Sequence, residues 1–354
     1  MNLYQKLFRR NQLRILALAR KIAPLRGQRV YLVGGTVRDL LLNRPEVDLD
    51  LAVEGDGLLF ARELAAKLGG RLAFHEHFLT ATIYWGGERV DVATTRKEYY
   101  SQPGARPEVE PAALEADLAR RDFSINAMAL PLAAREMDAL IDPCGGREDL
   151  GRKILRVLHR DSFRDDPARL FRGARFAGRM KFTWEEATAS LAREALAAGY
   201  LEKLDPQRYW PEFLLILKER NPTAAWDNLI SLGWQGLPAA GLPDRAAGHR
   251  AGKLLCQWKW RGRRPPDASL VYFLIATVKL RAAALEIVMD SLNFGRRKRR
   301  LIAAAREILP ELAPCLAQGS LPECLPGGPR MAPETLIFIL ALAGWNRLPA
   351  RLSP

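Results

Sequence analysis

The sequence predicts an α+β fold, with an α/β front of about 150 residues followed by a helical back of about 200. Strand-like alternation is confined to residues 29–96. From Leu114 onward the pattern is mostly helical, apart from the short stretch "MDALIDP". Regular strand–helix–strand repetition is missing, which argues against a doubly wound sheet. Charge divides at the same place. Residues 1–150 hold 21 basic and 21 acidic side chains, whereas 151–354 hold 33 basic and 19 acidic, so the formal charge of +14 lies wholly in the back. A neutral front and a basic back suggest separate tasks, with the back facing a polyanion. With 48% hydrophobic and 27% charged residues, wholesale disorder is excluded. The longest apolar run, Leu336 to Ala343, falls far short of the ~18–20 residues of a membrane span and reads as a buried helix.

Taken in order, Leu3, Leu7, Leu13, Leu16 and Leu18 suggest an amphipathic, basic first helix without the continuous apolar core of a signal peptide. "RVYLVGG" is a short strand ending in two glycines. "TVRDLLLN" follows as a helix whose Leu40, Leu41 and Leu42 seek the core, stopped by Asn43 and Pro45. "EVDLDLAVEG" alternates strictly and reads as a half-buried strand. "GLLFARELAAKLGG" is a helix closed by glycines, and the segments either side of Gly86-Gly87 form a hairpin or meander. Residues 97–116, with Pro103, Gly104, Pro107 and Pro111, read as a loop, and the Gly/Ala/Pro-rich stretch 233–252 as a boundary. A second break falls at 318–333. Cys144, Cys256, Cys315 and Cys324 are widely spaced with no C-x-x-C pair, which supports neither a zinc site nor a disulfide framework and fits a reducing cytoplasm.

Asp48-Leu49-Asp50 is the strongest local chemical signal. On a strand, residues i and i+2 share a face, so Leu49 and Leu51 point to the core while Asp48 and Asp50 project together. Adjacent carboxylates repel unless a cation lies between them, and hard oxygen donors suit Mg²⁺; a solvated strand face would look the same. Asp91, between Val90 and Val92, is a possible third ligand or simply a hairpin-edge acid. Gly34 and Gly35 stand at a strand-to-helix turn where a phosphate can approach bare backbone N–H groups, and Arg38 adds a charge one turn in. Together these make a layout for metal-assisted nucleotidyl transfer.

"LVGGTVRDLLLNRPEVDLDL", "RRDFSINAMA" (120–129), "DPCGGREDL" (142–150) and "RDDPARLFRGARFAGRMKF" (164–182), in this order, resemble the class II tRNA nucleotidyltransferase and bacterial poly(A) polymerase family. "LDPQRYWPEFLLILK" resembles the family's following helix. The resemblance covers roughly half the chain. It implies a nucleotidyltransferase (polymerase-β-like) head with a small mixed sheet over 1–150. After it would come a helical neck with a base-reading helix over 151–235 and a basic, RNA-binding body with a short tail over 236–354. It also implies template-independent addition of C and/or A to a tRNA 3′ end from CTP or ATP, by two-metal phosphoryl transfer with release of pyrophosphate. Position by position, Asp48 and Asp50 match the metal pair, and Gly35 and Arg38 match nucleotide contacts. Arg121 and Asp122 match positions that handle ribose and triphosphate. Asp166 and Arg169 stand where the family reads the base, and Arg172 and Arg175 resemble phosphate contacts. Read without the resemblance, that Asp/Arg stripe is a salt-bridge ladder on one helix face. The family's Glu is replaced by Asp165.

The basic runs suit tRNA phosphates: Lys259, Arg261, Arg263 and Arg264, with Trp258 and Trp260 either stacking on bases or packing in a helix core, and Arg296, Arg297, Lys298, Arg299 and Arg300, which a solvated cationic face would also explain. His75, His77, His159 and His249 never precede an Asp, so the phosphohydrolase activity of some family members is not expected. "RVLHRDSF" before "DDPAR" looks more like relatives that divide the work, so a CC- or A-adding enzyme is expected ahead of a full CCA-adding enzyme or a poly(A) polymerase. A cytoplasmic location is expected, with neither membrane nor DNA as partner. The rival from another class is a non-catalytic RNA-binding protein, against which the two retained, repelling acids speak.

Overall fold

The computed structural model describes residues 8–44, 48–134, 139–257, 265–318 and 331–345, with the side chains of 311–318 excepted. It divides into two compact units. The first runs to Asp165 and takes back Thr183–Thr188; the second comprises Asp166–Phe182 and the chain from Ala189 onward.

The first unit is built on a six-stranded mixed sheet of order β3-β4-β5-β2-β1-β8. Helix α1 (Arg10–Leu25) precedes it and buries Ile15, Leu16, Ala19 and Ile22. Leu13 and Leu18 are only half-buried, and Leu3 and Leu7 lie outside the described residues. Strand β1 (Arg29–Val33) is buried from Val30 to Val33 and gives way at Gly34 to helix α2 (Gly35–Leu41). Of the three leucines expected in its core face, Leu40 is buried, while Leu41 and Leu42 are half-exposed. Strand β2 (Leu49–Glu54) buries Leu49, Leu51 and Val53, but the strict alternation expected breaks at Ala52, which is buried on the other face against Leu114 and Leu118. Helix α3 (Gly57–Leu68) is capped by the Asp56 carboxylate on the Leu59 N–H and closed by Gly69 in the left-handed region. Strands β3 (Arg71–His75), β4 (Thr80–Trp85) and β5 (Glu88–Thr94) complete the meander. Gly86 and Gly87 turn the last hairpin with φ of 59° and 80°.

Antiparallel β1 pairs with β2 from Arg29↔Glu54 to Leu32↔Leu51, whereas β2 runs parallel to β5, with Asp50 opposite Asp91. Several elements differ from the sequence reading. Residues 97–116 are not one loop: β6 (Arg96–Tyr99) and β7 (Glu108–Pro111) form a separate hairpin, and α4 (Leu114–Ala119) begins before the segment ends. Their pairing is tied by Lys97 to Glu110 at 3.0 Å, a cross-strand contact that composition does not reveal. β8 (Ala129–Pro131) adds a strand on β1 inside a region read as helical. Two further short strands, β9 (Ile154–Leu155) and β10 (Thr183–Trp184), pair in parallel beyond α5 (Gly146–Arg152). The turn α6 (Ser162–Asp165) closes the first unit.

The second unit is helical. It comprises α7 (Ala168–Met180), the C-terminal part of α8 (Glu186–Ala197), α9 (Pro206–Leu217), α10 (Pro222–Ser231) and α11 (Arg245–Gln257). After these come α12 (Ala268–Thr277), α13 (Ala282–Ser291), α14 (Arg296–Gln318) and α15 (Pro333–Leu342). The stretch 233–252 is not an open linker: Trp234, Leu237, Ala247 and Ala251 are buried, and α11 starts within it. Helix α15 is buried from Leu336 to Ala341, as the apolar run predicts. Among the described residues no helix is long and apolar enough to cross a membrane.

Candidate active site

In the first unit, strand β2 opens at Leu49, with Asp48 just before it and Asp50 within it. Asp50 lies beside Asp91 through the parallel register, and the burial of Leu49, Leu51, Val90 and Val92 fixes the face they share. The Asp50 carboxyl is pushed up to about 6, first by burial and then by the Asp91 charge; Asp48 adds to this, and Arg121 and Arg38 pull the other way. Asp48 is exposed. Asp91 is held from two sides, by the Thr82 hydroxyl at 2.6 Å and by Arg89 Nη2 at 2.9 Å. Among the described residues no group of three acidic, histidine or cysteine side chains is arranged to hold a metal ion.

The glycines make room for arginines. Gly34 adopts φ +61°, ψ −128°, and a Cβ there would stand 2.7 Å from Arg121 Nη1. A Cβ on Gly35 would meet Arg38 Nη2 at 3.4 Å and Asp50 Oδ2 at 3.8 Å. The Gly34 N–H is not bare: it donates to the Met128 carbonyl at 3.3 Å. The expected phosphate approach therefore does not include this amide.

Arg38 is buried and braced. Its Nε and Nη2 donate to the two oxygens of Asp39, and Nη1 donates to Asn126 Oδ1 at 2.6 Å. Asn126 in turn donates from Nδ2 to Asp122 Oδ1, which also accepts the Phe123 N–H. Asp122 thus orients Asn126, which orients Arg38. Arg121 donates from Nε and Nη2 to Asp117 Oδ2, while Arg120 meets Asp117 Oδ1 at 2.6 Å. Burial alone pushes the Asp117 carboxyl up; Arg121 and Arg120 more than reverse this and hold it at about 2.

Sequence reasoning singles out Gly34, Gly35, Arg38, Asp48, Asp50, Asp91, Arg121 and Asp122, and the first unit contains contacts linking most of them. It missed Asp117, Thr82, Arg89 and above all Thr36, whose hydroxyl sits between the Asp48 carbonyl and the Asp50 N–H. Nothing in the spacing of these residues signals their contacts, which arise from strand pairing and helix placement.

In the second unit, Asp166 is not on the helix with Arg169. It precedes α7, where its carboxylate accepts the Ala168 N–H at 3.2 Å. Arg172 Nη2 meets Asp166 Oδ2 at 2.7 Å, and Arg208 Nη2 meets Oδ1 at 2.8 Å; Arg169 Nε lies 4.0 Å from Oδ2. Asp166 and Arg169 are 5% and 3% exposed, so the expected face of the ladder is an interior ionic cluster. Burial raises the Asp166 carboxyl, but Arg172, Arg208 and Arg169 leave it below the usual range. Arg172 also meets Glu212 at 3.3 Å, and Arg175 meets Glu219 at 3.6 Å. Arg208 belongs to the segment "LDPQRYWPEF", but its position alone did not single it out.

Helix α14 opens with the five basic residues 296–300 and has no acid in its first turn. Lys298 pairs with Asp267 at 3.1 Å and Arg299 with Glu286 and Asp290, leaving Arg296, Arg297 and Arg300 as the exposed members of the run. Lys259, Arg261, Arg263 and Arg264, with Trp258 and Trp260, lie outside the described residues.

Residues 30–156 match the poly A polymerase head domain. The chain is 47% identical over 205 residues to an A-adding tRNA nucleotidyltransferase of Geobacter sulfurreducens, a match covering 58% of this chain and 23% of that protein. It is 40% identical over 245 residues to an A-adding tRNA nucleotidyltransferase of Halalkalibacterium halodurans, covering 68% of this chain and 57% of that protein. A CC-adding tRNA nucleotidyltransferase of Deinococcus radiodurans is 38% identical over 227 residues, covering 64% and 59%. The chain thus spans less than two thirds of the length of each of these relatives. The structure of a CCA-adding enzyme in apo form II superimposes with a TM-score of 0.75 at 29% identity, covering 99% of this chain and 83% of that one. The Thermotoga maritima CCA-adding enzyme complexed with tRNA gives 0.72 at 28% identity, covering 99% and 82%. Head sequence, ordered motifs and a fold shared over nearly the whole length agree: the chain belongs to the class II tRNA nucleotidyltransferase and poly(A) polymerase family.

Proposed function

We propose that the chain is a template-independent tRNA nucleotidyltransferase that adds C or A, as a partial-adding enzyme, to the tRNA 3′ end. The observation that carries the reading is the parallel register that sets Asp50 opposite Asp91, with Asp48 two residues before it, so that acids gather at one end of the β2–β5 pair and their charges help raise the Asp50 carboxyl. Such a group is stabilised as a carboxylate by a cation, and Asp48 and Asp50 offer the hard oxygen donors that Mg²⁺ prefers. Mg²⁺ held there, as in two-metal phosphoryl transfer, would neutralise the triphosphate and lower the pKa of the RNA 3′-hydroxyl.

Arg38 and Arg121 take the triphosphate, with their directions fixed by Asn126 and Asp117. The 3′-hydroxyl oxygen bonds to the α-phosphorus, the bond to the bridging β-phosphate oxygen breaks, pyrophosphate leaves and the hydroxyl proton passes to solvent. Asp166 and Arg169 read the base. An ionised carboxylate has about four acceptor positions. The Ala168 N–H, Arg172 and Arg208 bond Asp166 and Arg169 lies 4.0 Å from it, so an exocyclic amino group of the kind carried by both cytosine and adenine would share its oxygens with them. Arg296, Arg297 and Arg300 hold RNA phosphates, together with Lys259, Arg261, Arg263 and Arg264. The A-adding and CC-adding relatives support the partial-adding reading. The cytoplasm, where tRNA is processed, is the proposed location.

The purified chain is incubated with Mg²⁺ and tRNA transcripts ending before the tail, after C or after CC, with labelled CTP or ATP in turn. Addition of only C to the shorter ends, or only A to the CC end, is expected. A complete CCA tail or a long A ladder would replace the partial-adding reading. No incorporation on any end, with salt-sensitive tRNA binding independent of Mg²⁺, would leave an RNA-binding protein instead.

A further inference from the structure

We infer that Thr36 is a positioning residue whose hydroxyl sets the spacing and direction of the Asp48–Asp50 acid pair. The antiparallel ladder between β1 and β2 ends at Leu32↔Leu51, so no β1–β2 ladder pair serves the backbone of residues 48–50. Those polar groups still need partners. In an extended strand, the C=O of residue i and the N–H of residue i+2 emerge from the same edge, close enough for one small group to serve both. Thr36 is that group. Its Oγ1 donates to the Asp48 carbonyl at 2.6 Å and accepts from the Asp50 N–H at 2.9 Å.

The bridge closes a ring around Leu49 and fixes the backbone between the two acids. It also ties helix α2, which carries Arg38, to the start of strand β2, where Asp48 precedes the strand and Asp50 lies within it. Thr36 is fully buried, so water does not replace the bridge at low cost, and its branched Cβ restricts the hydroxyl to few rotamers. Asp48 itself is exposed and gains its placement through this backbone contact. The role rests on the proposed reading that Asp48 and Asp50 hold a divalent cation; groups that orient metal ligands typically govern affinity or activity by about 10–100-fold.

The test compares Thr36→Val, which keeps the shape and removes the hydroxyl, with Thr36→Ser, which keeps the hydroxyl. Mn²⁺ affinity of the full chain is measured by electron paramagnetic resonance, with Asp50→Asn as reference, and nucleotide incorporation is followed in parallel. Thr36→Val should weaken Mn²⁺ binding by about 10-fold or more and lower kcat with little change in nucleotide KM, while Thr36→Ser stays near the parent. Thermal unfolding confirms that each variant is folded, and Thr36→Ala carries the same comparison if the valine variant is not. Unchanged Mn²⁺ affinity in the folded hydroxyl-free variant, or equal loss in Thr36→Ser, would overturn the inference. An inactive parent chain whose Mn²⁺ affinity still depends on Thr36 would overturn the proposed reaction and leave the positioning role standing.

Discussion

Arg38 and Asn126, 88 positions apart, are joined by a 2.6 Å hydrogen bond from Nη1 to Oδ1. With the Gly34 N–H to Met128 carbonyl bond, this contact couples the glycine turn of the first motif to "RRDFSINAMA". Asn126→Ala leaves one edge of the buried guanidinium without its acceptor, and such a loss costs about 1.5–3 kcal/mol. Nucleotide kcat/KM is expected to fall by about 10–100-fold, with most of the loss in KM. Steady-state kinetics at saturating tRNA checks this.

Gly34→Ala places a methyl where Arg121 Nη1 now lies, in a backbone conformation that alanine resists. A positive φ with ψ −128°, outside the left-handed helical region, costs on the order of 1–3 kcal/mol for a residue with a Cβ. The expected result is a lowered unfolding temperature together with weakened nucleotide binding, because Asp117 holds Arg121 from the other side. Gly69→Ala, where the added Cβ meets nothing, should show the stability loss without the binding loss.

Acid should loosen the first unit through Asp117. Its folded-state pKa of about 2 lies below the unfolded value near 4, so its stabilisation is complete above about pH 4. It declines as pH falls toward 2, a contribution of about 2–3 kcal/mol. Asp117→Asn should reduce neutral-pH stability and flatten the acid limb of denaturant midpoint against pH over that window.

In the second unit, Asp166→Ala leaves Arg172, Arg208 and Arg169 without their shared carboxylate. Breaking a buried ionic cluster in this way costs about 3–5 kcal/mol. The variant should unfold earlier and lose its choice among labelled nucleotides. Unchanged nucleotide choice in a folded variant would remove Asp166 from base reading.

Arg296, Arg297 and Arg300 are exposed, whereas Lys298 and Arg299 are committed to acids. Replacing an exposed member by alanine should weaken tRNA binding and reduce the slope of log affinity against log salt by about 1. Replacing Lys298 or Arg299 should move the slope less, because each already has a protein counterion. Filter binding across a salt series separates the two groups.

The parts of the site that follow strand periodicity were legible. Asp50 falls on the less buried face of β2 because alternation is a local property, and buried Leu49 and Leu51 on either side declare it. The register that sets Asp91 beside Asp50 is not local, since it depends on two strands separated by a helix and a hairpin. Thr36 and Arg208 act through tertiary contacts that no spacing announces. The β6–β7 hairpin hides in a Pro/Gly-rich segment, and β8 is only three residues long. Asp166 departs from the helical i, i+3 expectation because the helix begins two residues later, after Pro167.

The parallel register of β2 and β5 also acts during folding. A slip of one residue would turn Leu49, Leu51 and Val53 toward water and carry Asp50 toward the apolar interior. An unpaired carboxylate placed there costs several kcal/mol, far more than a strand pair of this length recovers by sliding. The acids therefore exclude misaligned sheets before any substrate arrives, and a variant that neutralises Asp50 should give up some of that protection against kinetic traps.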